Sequence, residues 1–191
     1  MQDHVAQQID EQIRYLHLLR SVVPRLSADL VGQTEFPTAP YYRNKGLGIW
    51  FRFSSPLTSE FINEFNDLAH WINQNFILRL YAVLESNGLV SQTIRLRPDI
   101  EGHDEVDIVH RLRNSFGHGS GRYDQADPDK RQLFERIVSH FGLDVGGDSE
   151  DEGKYPISIS QVLAPLPRWA CRACVRIDQP LHPPHRRRRD P

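Results

Sequence analysis

The stretch HRLRNSFGHGSGRY, residues 110–123, gathers the side chains with usable chemistry. A neutral imidazole, with an ordinary pKa of about 6.5, can take a proton from a ribose 2′-hydroxyl near neutral pH. A guanidinium can hold phosphate oxygens and stabilise charge gathering on phosphorus. Arg113 and His118 therefore form a competent pair for phosphodiester cleavage. Such a reaction needs no metal, because the ribose supplies the nucleophile, and it cuts RNA while sparing DNA. Asn114, His110, Arg122 and Tyr123 stand close enough in sequence to serve the same site. His110, three residues before Arg113, could join the cleft or be structural. Arg122 and Tyr123 could contact substrate, the tyrosine by stacking on a base or, alternatively, by packing between helices. The plain reading of the pair is an ordinary surface arginine and a histidine that favours the negative end of a helix.

Position on a helix sharpens this reading. Arg113 is four residues after Val109 and three before Phe116, so it lies on the flank of an apolar face rather than opposite it. A buried guanidinium is costly without a partner, so an anionic group is expected to meet it there. On an unbroken helix Arg113 and His118 would stand about 140° apart. Gly117 is expected to end the helix and let His118 swing back. Gly117, Gly119 and Gly121 also leave the backbone open to a phosphate. The run is no P-loop, since it lacks the Gly-Lys-Ser/Thr ending. Arg111 is expected to point elsewhere, into solvent.

The elements that must position these residues read as helices. Val5, Ile9, Ile13, Leu16, Leu19, Val23, Leu26 and Leu30 recur every three or four residues, with Pro24 predicting a kink or restart. Residues 32–57 break that period and contain YYRNKGLGIWFRF, read as a hairpin-like excursion or a long loop. Thr58 is a good N-cap, with Leu57 and Ile62 placed as a hydrophobic staple. Phe61, Phe65, Leu68, Ile72, Phe76, Leu80, Val83 and Leu84 form the second helix's stripe, and Asn87-Gly88 stops it. The third helix is expected to begin near Asp104. There Glu105 and Asp107 complement its positive end, and Val106, Ile108, Val109, Leu112 and Phe116 are its apolar residues. Asp127-Pro128 starts a fourth helix, whose inward residues are Leu133, Phe134, Ile137, Val138 and Phe141 and whose end is Gly142. Residues 144–153 read as an acidic flexible linker, and Ile157 to Leu166 as a short closing helix. Trp50, Phe51, Phe53 and Trp71 are expected in the core or a dimer interface. The expected class is all-α, a bundle of four to five helices over residues 1–166.

Composition excludes several classes. The chain has 191 residues, two cysteines and a formal net charge of −2. Its longest apolar runs fall well short of the ~18 residues of a membrane span, and no secretory signal is expected from its opening. Two cysteines argue against a disulfide scaffold and fit a reducing, cytoplasmic setting. The charge is uneven: residues 167–191 carry net +5 and the remainder net −7. A nucleic-acid surface must therefore be local or lie in the tail.

The segment RNSFGH, with Arg113, Asn114 and His118, resembles the R-x4–6-H motif of the HEPN superfamily, including the polar residue that often follows the arginine. Residues 5–166 resemble small bacterial HEPN proteins of plasmids and defence loci. The resemblance implies a metal-independent endoribonuclease without cofactor, acting as a toxin or an antiviral effector. It implies a homodimer whose cleft is lined by Arg113 and His118 of both copies. In the family the histidine transfers protons, the arginine binds or polarises the phosphate, and the polar residue, here Asn114, orients the site. Some members carry a tyrosine two residues after the histidine, modified by a partner antitoxin. Here that position is Ser120 and the nearest tyrosine is Tyr123. Other members are non-catalytic dimerisation or RNA- or protein-binding modules, which is the alternative reading.

The tail, residues 167–191, is Pro- and Arg-rich and expected to be disordered. Cys171, Cys174, His182 and His185 form a C-x2-C-x7-H-x2-H series. It offers four zinc ligands or, as the plainer reading, two free thiols in a disordered segment. Arg186 to Arg189 read as a solvated terminus or a phosphate contact.

Overall fold

The structure, a computed structural model, describes residues 2–38, 48–91, 102–118, 121–144 and 153–163. The all-α expectation holds. Among the described residues there are four α-helices, α1 (Gln2–Val22), α2 (Ser59–Ser86), α3 (His103–His118) and α4 (Pro128–Phe141). A 3-10 turn (Ala28–Leu30), the strands β1 (Glu35–Pro37) and β2 (Trp50–Arg52), and a π-helical turn (Ile159–Leu163) complete the order. The acidic stretch of residues 145–152 and everything after residue 163 lie outside the described residues.

Local chemistry sets most boundaries. α1 stops at Val22 and restarts as the 3-10 turn, because Pro24 lacks an N–H and disfavours helix in the residue before it. The Thr58 hydroxyl accepts from the Phe61 N–H at 3.2 Å, while Leu57 and Ile62 are both buried beside it. Gly88 follows α2 with a φ of 71°. The Asp127 carboxylate accepts from the backbone of Asp129 and Lys130, and Gly142 closes α4 in the left-handed region. The excursion after α1 is a hairpin: β1 and β2 pair antiparallel with Phe36 opposite Phe51.

Two predicted stripe positions are corrected. Leu19 is 50% exposed and Leu68 is 44% exposed. The buried line of α1 runs through Val5, Ile9 and Leu16, and Leu19 stands about 60° off its centre. The buried line of α2 runs through Ile62, Ala69, Asn73, Phe76 and Leu80, with Leu68 about 120° away.

Two apolar clusters result. The larger joins all four helices, with Ile77, Leu80, Ile108, Leu112, Ile137, Val162 and Leu163 sealed from solvent. The smaller lies under the hairpin, where Leu26, Phe36, Leu57 and Ile62 are buried. Phe51 and Phe53 stack on Phe36 at 5.3 and 5.9 Å. Trp50 and Trp71, by contrast, are 68% and 56% exposed in the single chain and take no place in either core.

Candidate functional site

α3 is fastened to both neighbours, which fixes the rotation at which it presents Arg113. Towards α4, Arg136 donates to the Asp107 and Asp104 carboxylates at 2.7 and 2.9 Å. The buried Glu105 carboxylate meets His140 Nε2 at 2.9 Å. The acids at the start of α3 therefore tie it to α4 as well as complementing its positive end. Arg111, expected in solvent, donates to Gln132 Oε1 at 2.9 Å and to the Asp129 carbonyl at 3.4 Å. Its position on the α4 side of α3, one turn from Asp107, makes this contact available.

Towards α2, Arg113 meets a polar cluster. Its guanidinium lies over the ring of Tyr81, with Cζ 5.2 Å from the centroid, a cation–π arrangement. Its Nη1 donates to Asn114 Oδ1 at 3.1 Å. Asn114 Nδ2 stands 3.1 Å from His110 Nε2, and His110 Nδ1 stands 3.2 Å from Tyr81 Oη. A ring and an amide oxygen thus meet the half-buried guanidinium on its flank of the apolar face.

The direction of these bonds follows from the arginine. A guanidinium can only donate, so the oxygen of the Asn114 amide must face it. The amide NH2 then faces His110, whose Nε2 must accept. His110 Nδ1 carries the ring hydrogen and donates to Tyr81 Oη. In this tautomer His110 bridges Asn114 and Tyr81 and ties the cluster together. Burial pushes the Tyr81 hydroxyl above its usual pKa, Glu85 adds to the rise and Arg113 opposes it.

Tyr81 is the residue the sequence reading missed. It is buried at the edge of the α2 stripe, between Leu80 and Leu84. A phenol in that position requires a polar partner, which is the one sequence signal that pointed to it.

The expected break at Gly117 does not occur. α3 continues through Gly117 to His118, and Gly117 has no positive φ. The left-handed glycine is Gly121, at φ 68°, where Gln74 donates to its carbonyl at 3.2 Å. Glycine permits a break but does not impose one. His118 therefore stands one turn beyond Asn114 and two beyond His110 along the helix, about 140° around from Arg113. The side chain of His118 lies outside what the structure describes.

Arg122 is exposed just after Gly121. Tyr123 is 4% exposed, stacked at 4.6 Å on Phe134 and 5.8 Å from Tyr155. It is a core residue with no open face for a base, because its backbone N–H donates to the Gly153 carbonyl and draws it inward. The Cys171, Cys174, His182 and His185 series lies outside the described residues, among which no three potential metal ligands gather. No helix of the described residues is long and apolar enough to cross a membrane. In comparisons with known proteins, the chain matches no family model, no curated protein and no solved structure.

Proposed function

We propose that this protein is a metal-independent endoribonuclease of the HEPN type. The observation that carries the reading is the seating of Arg113: an arginine on the apolar flank of α3, held by the Tyr81 ring and the Asn114 amide, about one and a half helical turns before the backbone position of His118. In the proposed reaction His118 takes the proton of a ribose 2′-hydroxyl. The 2′-oxygen attacks the adjacent phosphorus, and Arg113 stabilises the charge on the phosphoryl oxygens. The P–O5′ bond breaks, leaving a 2′,3′-cyclic phosphate and a 5′-hydroxyl that receives a proton. Asn114 orients Arg113, and Arg122, exposed just past the motif, contacts substrate in this reading.

The 140° between Arg113 and His118 on one helix favours a site completed by a second copy. The proposal therefore includes a homodimer with Arg113 and His118 of both chains in one cleft. A cytoplasmic toxin or antiviral effector, restrained by an antitoxin or another regulatory protein, is the setting the motif suggests. A second reading draws on the same cluster. An arginine engaged by a tyrosine ring and an amide is also what a non-catalytic dimerisation or RNA- or protein-binding module would hold.

Incubating the purified protein with mixed cellular RNA in EDTA separates the two. Cutting by the wild type and not by Arg113→Ala or His118→Ala supports the enzyme. Cutting by all three overturns the assignment of these residues. Intact RNA with the dimer formed and RNA bound supports the module.

A further inference from the structure

A groove away from α3 brings two arginines to one place. The end of α1, the 3-10 turn and β1 enclose an open groove of about 590 Å3, a size that suits a small organic ligand. Its apolar floor includes the buried Leu26 and Phe36. Leu26 is pinned to α2, with its N–H and carbonyl bonded to the Asn66 side chain at 2.7 and 2.9 Å. Asn66 and Tyr81 stand fifteen residues apart on α2, about 22 Å along the helix. The groove is thus separate from the Arg113 cluster.

Arg20 and Arg25 line this groove. One donor of Arg20, Nη1, caps α1 through the Val23 carbonyl at 2.8 Å. Its Nε is buried with no acceptor. Burial, and then the nearby charge of Arg25, hold the Arg20 guanidinium below its usual pKa. Arg25 is exposed. Asp29 also lines the groove, yet among the described residues neither arginine forms an ion pair with it or with any other carboxylate. Residues 1–166 carry net −7, so carboxylates are plentiful elsewhere. Two guanidiniums drawn together in a concavity, one partly desolvated, raise each other's energy unless an anion joins them.

We propose that this groove binds a phosphate ester, with the phosphoryl group between Arg20 and Arg25 and its organic body over Leu26 and Phe36. Two guanidiniums lining one groove match the charge and the several oxygens of a phosphate better than a single carboxylate. The ester is carried either by a free nucleotide or by an RNA strand. Ser27 and Gln33, also at the groove, supply neutral polar groups beside it.

The test titrates the full-length protein with adenosine monophosphate, adenosine and inorganic phosphate, following the side-chain N–H signals of arginine by NMR. A short RNA is titrated in parallel into the His118→Ala form, so that cleavage plays no part. The nucleotide is expected to bind and adenosine not to. Arg25→Glu is expected to weaken nucleotide binding at least tenfold, and Arg25→Lys less. Arg25 is exposed, so neither change threatens the fold. Dependence of RNA binding on Arg25, without nucleotide binding, identifies the strand as the source of the phosphate and supports the groove. Binding that ignores Arg25→Glu but is lost in Arg113→Ala places the phosphate at α3 and overturns the proposal. Absence of binding by nucleotide, phosphate and RNA alike also overturns it. None of these outcomes depends on whether the protein cuts RNA.

Discussion

Helix α3 is gripped from two sides by different chemistry, whereas the β1–β2 hairpin rests on one aromatic cluster. On the α2 side α3 buries Val109 and Leu112 and engages Tyr81 through Arg113 and His110. On the α4 side it adds the Arg136, His140 and Arg111 contacts. The hairpin pairs only three residues a strand and depends on the packing of its own Phe36, Phe51 and the following Phe53 with Phe61 and Phe65 of α2. A helix held through two faces resists rotation, and rotation is what would carry Arg113 out of place. A ribbon held from one face can open without disturbing the rest.

The largest expected effect tests this division. Leu112 is fully buried, so Leu112→Ala should cost about 2–5 kcal/mol in urea unfolding and, under the proposed function, remove RNA cleavage with it. Phe36→Ala removes a larger side chain but should shift global unfolding by less. It should speed hydrogen exchange at Thr38 and Phe53 while leaving α3 amides protected. Equal exchange at both places would mean that the two clusters form one cooperative unit.

A smaller change probes the α2 face alone. Tyr81→Phe keeps the ring beneath Arg113 and deletes the acceptor of the His110 Nδ1 hydrogen. It should cost about 1 kcal/mol and, under the proposed function, reduce cleavage several-fold, whereas Tyr81→Leu, which also deletes the cation–π contact, should reduce it further. Equal activity in Tyr81→Leu and the wild type would separate Arg113 from the cluster around it. On the α4 face, Arg136→Ala loses two carboxylate contacts from a side chain about one-third exposed. Solvent screening limits that loss to about 1 kcal/mol, read by the same unfolding curves.

What the sequence disclosed follows from the range of each interaction. Thr58, Asp127-Pro128 and Gly142 mark helix ends because capping bonds join residues two or three apart, and those ends were legible. The apolar residues of α3 were legible for the same reason, through their period. The contacts that orient α3 were not. Tyr81 and His110 are 29 residues apart, Asp107 and Arg136 also 29, and Glu105 and His140 35. No local pattern encodes such pairs, and a tyrosine at the edge of a stripe looks like any other core aromatic. Gly117 was misread because glycine widens the choice of backbone conformation without selecting one. Arg113 was legible as an arginine on an apolar flank, but the Tyr81 ring and the Asn114 amide oxygen that meet it there were not.

The smallest effect concerns the acid limb of stability, and it sharpens the contrast between the two faces of α3. A hydrogen bond from His103 holds the Asp104 carboxyl below the ordinary aspartate value of 3.8; burial opposes it, and the nearby charges of Arg136, His103 and His140 act with the hydrogen bond. A carboxyl whose folded value is depressed stabilises the fold above its unfolded value and loses that contribution as pH falls through the folded one. Asp104 is more than half exposed, so its share is small. The unfolding midpoint in urea should hold steady from pH 7 to about pH 4 and decline below it. Asp104→Asn should flatten part of that decline while leaving the Arg136–Asp107 contact in place. The bonds described among Tyr81, His110, Asn114 and Arg113 run through a phenol, an imidazole and an amide, whereas those towards α4 run through the carboxylates of Asp104, Glu105 and Asp107. Asp104→Asn should therefore slow the rise in exchange at α4 amides below about pH 4 and leave exchange at α2 amides as in the wild type. A matching change at α2 amides would mean that Asp104 acts on the whole fold rather than on the α4 contact.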